Sequence, residues 1–301
     1  MKSQASDDPN IFKTRSRDEC QEWRLVLVAA GISVEPSHRD GWWFLSVKPE
    51  DSAAAAEEIA AYRSENQDRG IVASSRVPIY RGAYVGVIVY CGVIILVAAF
   101  SFRSAFEIDW LSLGRVETSK VSQGQFWRVI TALTLHLDVE HLLSNLLFGT
   151  VFGLLAGRVF GGGIAWLGIV IAGALGNYIN TFIQPPNHTS IGASTSVFAA
   201  LALITSHSLV VRPTVSSHSL IRWGPMIGGV LLLAMLGVGG ERTDVAAHFA
   251  GFLSGLAIGW IACKLPKRWL ASENAQVCSG VSAIAMIAFA WILAVILGSQ
   301  N

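Results

Sequence analysis

From residue 84 onward the chain alternates long apolar stretches with short polar breaks, and the spacing predicts helices that cross a bilayer. About 20 residues are needed to span the hydrocarbon core. Seven stretches qualify, near 84–101, 141–160, 164–183, 192–211, 224–240, 244–263 and 279–297. The fifth is short and rich in glycine. Before residue 84 the pattern differs. ECQEWRLVLVAAGI carries apolar residues at helical spacing, and GWWFLSVKP is aromatic and β-branched like a strand. EDSAAAAEEIAAYRSEN is a strong helix former with acidic residues near its start. Residues 19–65 are therefore expected to form a small unit of about two helices and two strands, with 66–82 as a linker. Trp42 and Trp43 suit either the core of that unit or a binding surface; core is the simpler reading for at least one.

Composition supports this division. Of 301 residues 52% are hydrophobic and 14% charged, with mean hydropathy +0.50, too apolar for an ordinary soluble chain. Residues 1–80 hold 10 Lys/Arg and 13 Asp/Glu, over half the charged residues of the protein. A formal net charge of +1 gives no footprint for nucleic acid. Cys20, Cys91, Cys263 and Cys278 show no paired spacing and read as small apolar residues. The opening segment MKSQASDDPNIFKTRSRDE lacks the apolar core of a signal peptide, so insertion is expected to rest on an internal span.

Orientation follows from basic residues near span ends. With the N-terminus inside, the inner loops hold Arg158, Arg212, Arg222, Lys264, Lys267 and Arg268, and the outer turns 184–190 and 240–243 hold only Arg242. The connection 101–140 carries Arg103, Arg115, Lys120 and Arg128, a partial counter-signal. Its aromatics Phe102, Phe106, Trp110, Phe126 and Trp127 suggest seating at the membrane interface. The C-terminus is then expected outside.

Polar groups inside a membrane are expensive and mark function. His141 and Asn145 open span two, Asn177 and Asn180 lie late in span three, Ser194 opens span four, and His248 lies a turn into span six. Spans two, four and six all run from outside to inside, so His141, Asn145, Ser194 and His248 share one depth and one side. A serine needs a base to act as a nucleophile, and histidine is the usual one. Asp244, one turn before His248, is the nearest acid, so the minimal unit is a Ser194–His248 dyad. Donors for a developing oxyanion are available from Asn145, His141 and the free backbone N–H groups at the start of span four. Gly251, Gly255 and Gly259 follow His248 at four-residue spacing and would let spans four and six approach closely.

These residues resemble the rhomboid intramembrane serine proteases over roughly 84–263. HLDVEHLLSN matches the family's His-x4-His-x3-Asn pattern through His136, His141 and Asn145. GAS matches Gly-x-Ser through Gly192 and Ser194, and AHFAGFLSG matches Ala-His-x2-Gly-x3-Gly through Ala247, His248, Gly251 and Gly255. FWR, ending at Arg128, resembles a Trp-Arg pair in the family's first loop. The resemblance implies Ser194 as nucleophile, His248 as base, and His141, Asn145 and the Ser194 N–H as the oxyanion hole. It implies an all-α polytopic membrane fold: a six-helix rhomboid-like bundle with an outward-opening water-filled cavity, here with a seventh C-terminal transmembrane helix and a small α+β N-terminal soluble domain. The expected divisions are 1–82, 83–264 and 265–301. Spans two and five are gate candidates by resemblance alone. One departure stands out: many members carry Gly after the nucleophile, where this chain has Thr195, which restricts the backbone and leaves Ser196 as a rival nucleophile.

Plainer roles compete. Ser194 suits a helix N-cap, Asn145 an interhelical hydrogen bond, and His141 a core imidazole. His136 reads as a structural histidine of the loop, Arg128 as its anchor, and Gly192 as a point of close approach. Zinc on His136, His141 and His248 would lack the HExxH pattern, and no inverted repeat suggests a transporter. An inactive relative that grips transmembrane helices is the alternative to hydrolysis. The expectation is a cofactor-free endopeptidase in a bacterial inner membrane, taking transmembrane proteins as substrates near the outer, periplasmic face. Such substrates must unwind locally to expose a carbonyl.

Overall fold

A computed structural model describes residues 11–66, 79–80, 82–211, 227–228 and 244–298. The fifth predicted span, 224–240, most of the linker, and Arg212, Arg222 and Arg242 lie outside the described residues. Contacts divide the chain into residues 1–75 and 76–301.

The first unit is a three-stranded antiparallel sheet with two helices. Strands β1 (Ile11–Thr14), β2 (Val34–Arg39) and β3 (Trp42–Val47) lie in the order β1-β3-β2. Helices α1 (Arg17–Ala29) and α2 (Ser52–Glu65) complete it. Asp40 and Gly41, with φ of 52° and 78°, form the two-residue turn between β2 and β3, since a Asp-Gly pair tolerates the left-handed backbone such hairpins need. The Ser16 side chain caps α1 by accepting from the Glu19 N–H. Trp23, Leu27, Leu45 and Ile59 are buried as its core. Two strands were expected and three are present. IFKT is too short to announce itself, and it is a strand only because Phe12 and Lys13 pair with Leu45 and Phe44. Trp42 and Trp43 face opposite sides of the strand. Trp43 packs on the core cluster, and Trp42 is covered by Lys13 and Arg15 at 5.5 and 4.5 Å from its ring.

The second unit is a bundle of apolar helices: α3 (Ala83–Phe102), α7 (Val139–Phe160), α8 (Gly162–Ile183), α9 (Ser194–Val211), α10 (Val245–Ala262) and α12 (Glu273–Gly298). Five are long and apolar enough to cross a membrane, and the apolar part of α9 is a residue short of that length. The protein is thus a polytopic membrane protein. Between α3 and α7 run α4 (Trp110–Gly114), β4 (Val116–Glu117), α5 (Thr118–Ser122) and α6 (Arg128–Thr131). β5 (Thr189–Ser190) precedes α9, and α11 (Lys267–Leu270) precedes α12.

Small residues bring the central helices together, as they must where lipid offers no hydrophobic drive for association. A Cβ placed on Gly251 would lie 2.4 Å from the Thr195 carbonyl oxygen, and one on Gly255 2.5 Å from that of Ala199. Gly259 repeats the pattern against Leu203. The seventh predicted span, α12, docks on this bundle. Gln276 donates to the Phe160 and Leu270 carbonyls and accepts from the Ile164 N–H. Near its other end the Trp291 indole N–H donates to Thr134 Oγ1 at 3.0 Å. In the 101–140 connection Phe102, Phe106 and Phe126 are exposed, as interfacial seating requires, whereas Trp127 is buried and Trp110 packs edge-to-face against Trp291. Those two tryptophans serve packing because α12 supplies a partner surface.

Candidate active site

Asp138 caps α7 by accepting from the His141 N–H at 2.8 Å, which sets His141 and Asn145 on one face a turn apart. Asp244 caps α10 by accepting from the Ala247 N–H, and His248 follows one turn on. Between α8 and α9 the chain turns through β5, which pairs antiparallel with β4, Val116 opposite Ser190 and Glu117 opposite Thr189. The Gly192 N–H then donates to the Ala132 carbonyl at 2.9 Å. The segment before Ser194 is therefore fastened to the 101–138 connection.

These local structures bring Ser194 and His248 together. His248 Nε2 lies 2.7 Å from Ser194 Oγ. The His248 ring is buried and packs against Phe198, centroids 4.7 Å apart. Gly192 has φ +127°, and a Cβ there would lie 2.6 Å from His141 Nε2 and 3.5 Å from Ser194 Oγ. Only glycine fits, and both polar atoms look into the space above it. Asn145 is buried, donates one amide hydrogen to the His141 carbonyl at 2.9 Å, and retains a second. Its own carbonyl accepts from Tyr90 at 2.8 Å. All four side chains line a cavity of about 900 Å³.

The remaining candidates sit around this centre. His136 is fully buried in the loop before α7, its ring 5.1 Å from that of His141. Burial first, then His141, pushes its pKa down to about 3, so the ring is neutral. Arg128 is buried and donates to the Ser112 and Arg115 carbonyls and to Gln125; it ties the connection together and lies outside the cavity lining. Gly251 and Gly255 set helix spacing. Thr195 places its methyl against Gly176 and Gly251, between α8 and α10. Ser196 Oγ points at Gly173 of α8, away from His248, because two helical positions differ by about 200°. Among the described residues no group of three His, Cys, Asp or Glu is arranged to hold a metal.

One constellation was not foreseen. The Asp244 carboxylate, beyond its cap, accepts from Asn180 at 2.7 Å and Gln184 at 3.2 Å, and contacts His188 Nε2 at 2.7 Å. Burial alone would raise the Asp244 pKa, but bonds from Ala247, His188 and Asn180 outweigh it and hold the carboxyl below its ordinary range. The sequence marked Asp244 only as the acid nearest to His248, and His188, in an irregular turn, carries no periodic signal.

Residues 123–265 match the Rhomboid domain family. The chain is 28% identical over 157 residues to RHOMBOID-like protein 5 of Arabidopsis thaliana, covering 52% of this chain and 50% of that one. It is 28% identical over 163 residues to Rhomboid protease GluP of Bacillus subtilis, covering 52% and 30%. With Rhomboid protease GlpG of Haemophilus influenzae it shares 28% identity over 173 residues, covering 55% and 84%. The chain thus spans half or less of the length of the first two relatives.

Proposed function

Because the membrane part of this chain belongs to the rhomboid family, a family that includes serine intramembrane proteases, we propose that the protein is a serine endopeptidase cleaving transmembrane segments. The observation that carries the reading is the 2.7 Å contact between Ser194 Oγ and His248 Nε2 from two different helices, at the wall of a cavity large enough for an extended peptide. With the imidazole proton on Nδ1, Nε2 takes the hydroxyl proton as Oγ attacks a scissile carbonyl carbon. The carbonyl oxygen becomes an oxyanion held by the second Asn145 amide hydrogen, His141 Nε2–H and backbone N–H groups at the start of α9. His248 returns the proton to the leaving amine, and an acyl ester on Ser194 remains. Water entering through the cavity then gives up a proton to His248 and releases the acid. No cofactor enters this sequence.

Helix starts of α7, α9 and α10 meet at the site, and Arg158, Lys264, Lys267 and Arg268 lie at the other ends of the core helices or in the segment that follows them. The positive-inside preference supports a site on the outer side, and on this reading the N-terminus is cytoplasmic and the C-terminus periplasmic in an inner membrane. Substrates on this reading unwind near that outer face.

The test is labelling of detergent-solubilised protein by a fluorophosphonate, comparing wild type with Ser194→Ala, His248→Ala and Ser196→Ala. Labelling should be lost in the first two and kept in the third. Folded wild type that does not label, with the probe shown to reach the cavity, would overturn the reading in favour of non-catalytic binding of transmembrane helices.

A further inference from the structure

Two segments carry the proposed dyad: the turn that runs through β5 into α9, and the start of α10. They share two polar side-chain contacts. One is Ser194 with His248. The other is His188 with Asp244, also at 2.7 Å. His188 precedes Ser194 by six residues, and Asp244 precedes His248 by four, so the second contact runs beside the first between the same pieces of chain. It is also anchored on both flanks. Asn180 and Gln184, at the end of α8, donate to the two oxygens of Asp244. The His188 carbonyl accepts from the Thr118 N–H, and its own N–H donates to Pro185. Both Asp244 oxygens thus have two donors each, counting Ala247, and both residues border the site's cavity.

A hydrogen bond of 2.7 Å between nucleophile and base is useful only if the two helices cannot drift along each other. The glycine contacts set their separation but not their register at the open end, where α9 and α10 begin. A partly buried carboxylate with directional donors from α8 and the His188 turn supplies that register, since charge-assisted hydrogen bonds are short and geometrically demanding. We propose that His188 and Asp244 form a clasp that positions the Ser194–His248 pair, with Asp244 and His188 acting as positioning residues. The inference rests on the reading of the pair as a reactive dyad, and it assigns no chemical step to the clasp.

The experiment compares His188→Leu, His188→Gln and Asp244→Asn in the full chain. Two readouts are taken: fluorophosphonate labelling rate per folded molecule, and amide hydrogen exchange over 188–196 and 244–250. His188→Leu should slow labelling roughly 10- to 100-fold, the scale set by misplacing a catalytic group. It should also speed exchange in both segments. His188→Gln keeps a donor at the end of a side chain of similar reach and should recover most of both; rescue of rate by a conservative donor is not expected of a residue that merely fills space. Asp244→Asn cannot accept from all four donors and should resemble His188→Leu. Wild-type rate and unchanged exchange in His188→Leu would overturn the clasp while leaving hydrolysis standing. If wild type itself fails to label, the hydrolase reading falls, and exchange alone still decides the clasp: faster exchange at both segments supports it, and unchanged exchange refutes it.

Discussion

Gly251 offers a sharp test of how the bundle holds its site. Replacing it with alanine puts a Cβ 2.4 Å from the Thr195 carbonyl oxygen, 2.8 Å from its methyl and 3.1 Å from its carbonyl carbon. Real Cβ contacts do not fall below 3.0 Å, and ordinary ones begin at 3.4 Å, so α9 and α10 must part by 0.6 to 1.0 Å along that line. The nearest obstacle is backbone, so no rotamer change relieves it. Overpacking of this kind costs about 1–3 kcal/mol. The displacement occurs one turn from His248 and one residue from Ser194. Added to a 2.7 Å contact, it carries the pair to the edge of hydrogen bonding, near 3.5 Å. A misplacement approaching 1 Å lowers a rate by about 100-fold. Gly280→Ala is the control, since its Cβ would meet only Gly163 Cα at 3.6 Å. Thermal unfolding in detergent and fluorophosphonate labelling should show Gly251→Ala less stable and about 100-fold slower, with Gly280→Ala near wild type. A Gly251→Ala protein that labels at the wild-type rate would refute the argument. So would equal damage from Gly280→Ala, which would trace the effect to loss of glycine rather than to the clash.

Two further outcomes follow from buried polar groups. Trp291→Phe keeps most of the ring but removes the donor to Thr134 Oγ1; it should lower unfolding free energy by about 1 kcal/mol, read as a lower thermal midpoint, without altering labelling of Ser194. His136 has its folded pKa near 3 against an ordinary 6.5, so between these values the unfolded chain binds a proton that the folded chain refuses. Stability should therefore decline as pH falls from about 6.5 toward 3 and stop declining on this account below that. His136→Phe should flatten that part of the midpoint-against-pH curve, and an unchanged slope would exclude His136 as its source.

Much of the candidate site's geometry was legible because membrane spans impose depth. Counting spans was enough to put His141, Asn145, Ser194 and His248 at one level, and the glycine spacing after His248 pointed to close helix packing. Thr195 shows where such reading stops. Its β-branch looked like a threat to the backbone beside the nucleophile, yet on a helix it projects about 100° from Ser194. It lands in the gap left by Gly176 and Gly251, a matter of three helices at once. His188 was unreadable for a related reason: a turn residue acquires its partner only through the return of the chain 56 residues later. The third strand of the N-terminal sheet and the docking of α12 through Gln276 and Trp291 likewise depend on surfaces distant in sequence.

The distance along the chain between Ser194 and His248, 54 residues, has a consequence for biosynthesis. Chains emerge and insert from the N-terminus onward, so α9 enters the bilayer while the residues of α10 are still unmade. Until those arrive, Ser194 has no His248 to contact, Asn180 has no carboxylate to bind, and the faces of Ala199 and Leu203 that receive Gly255 and Gly259 are open to lipid or to other helices. On the proposed reading, a chain interrupted before α10 is therefore inert, however well its first helices are inserted. The Ser194–His248 contact comes into being in one step, when α10 seats. Seating of α10, with α11 and α12 still to follow, is the event that assembles the pair.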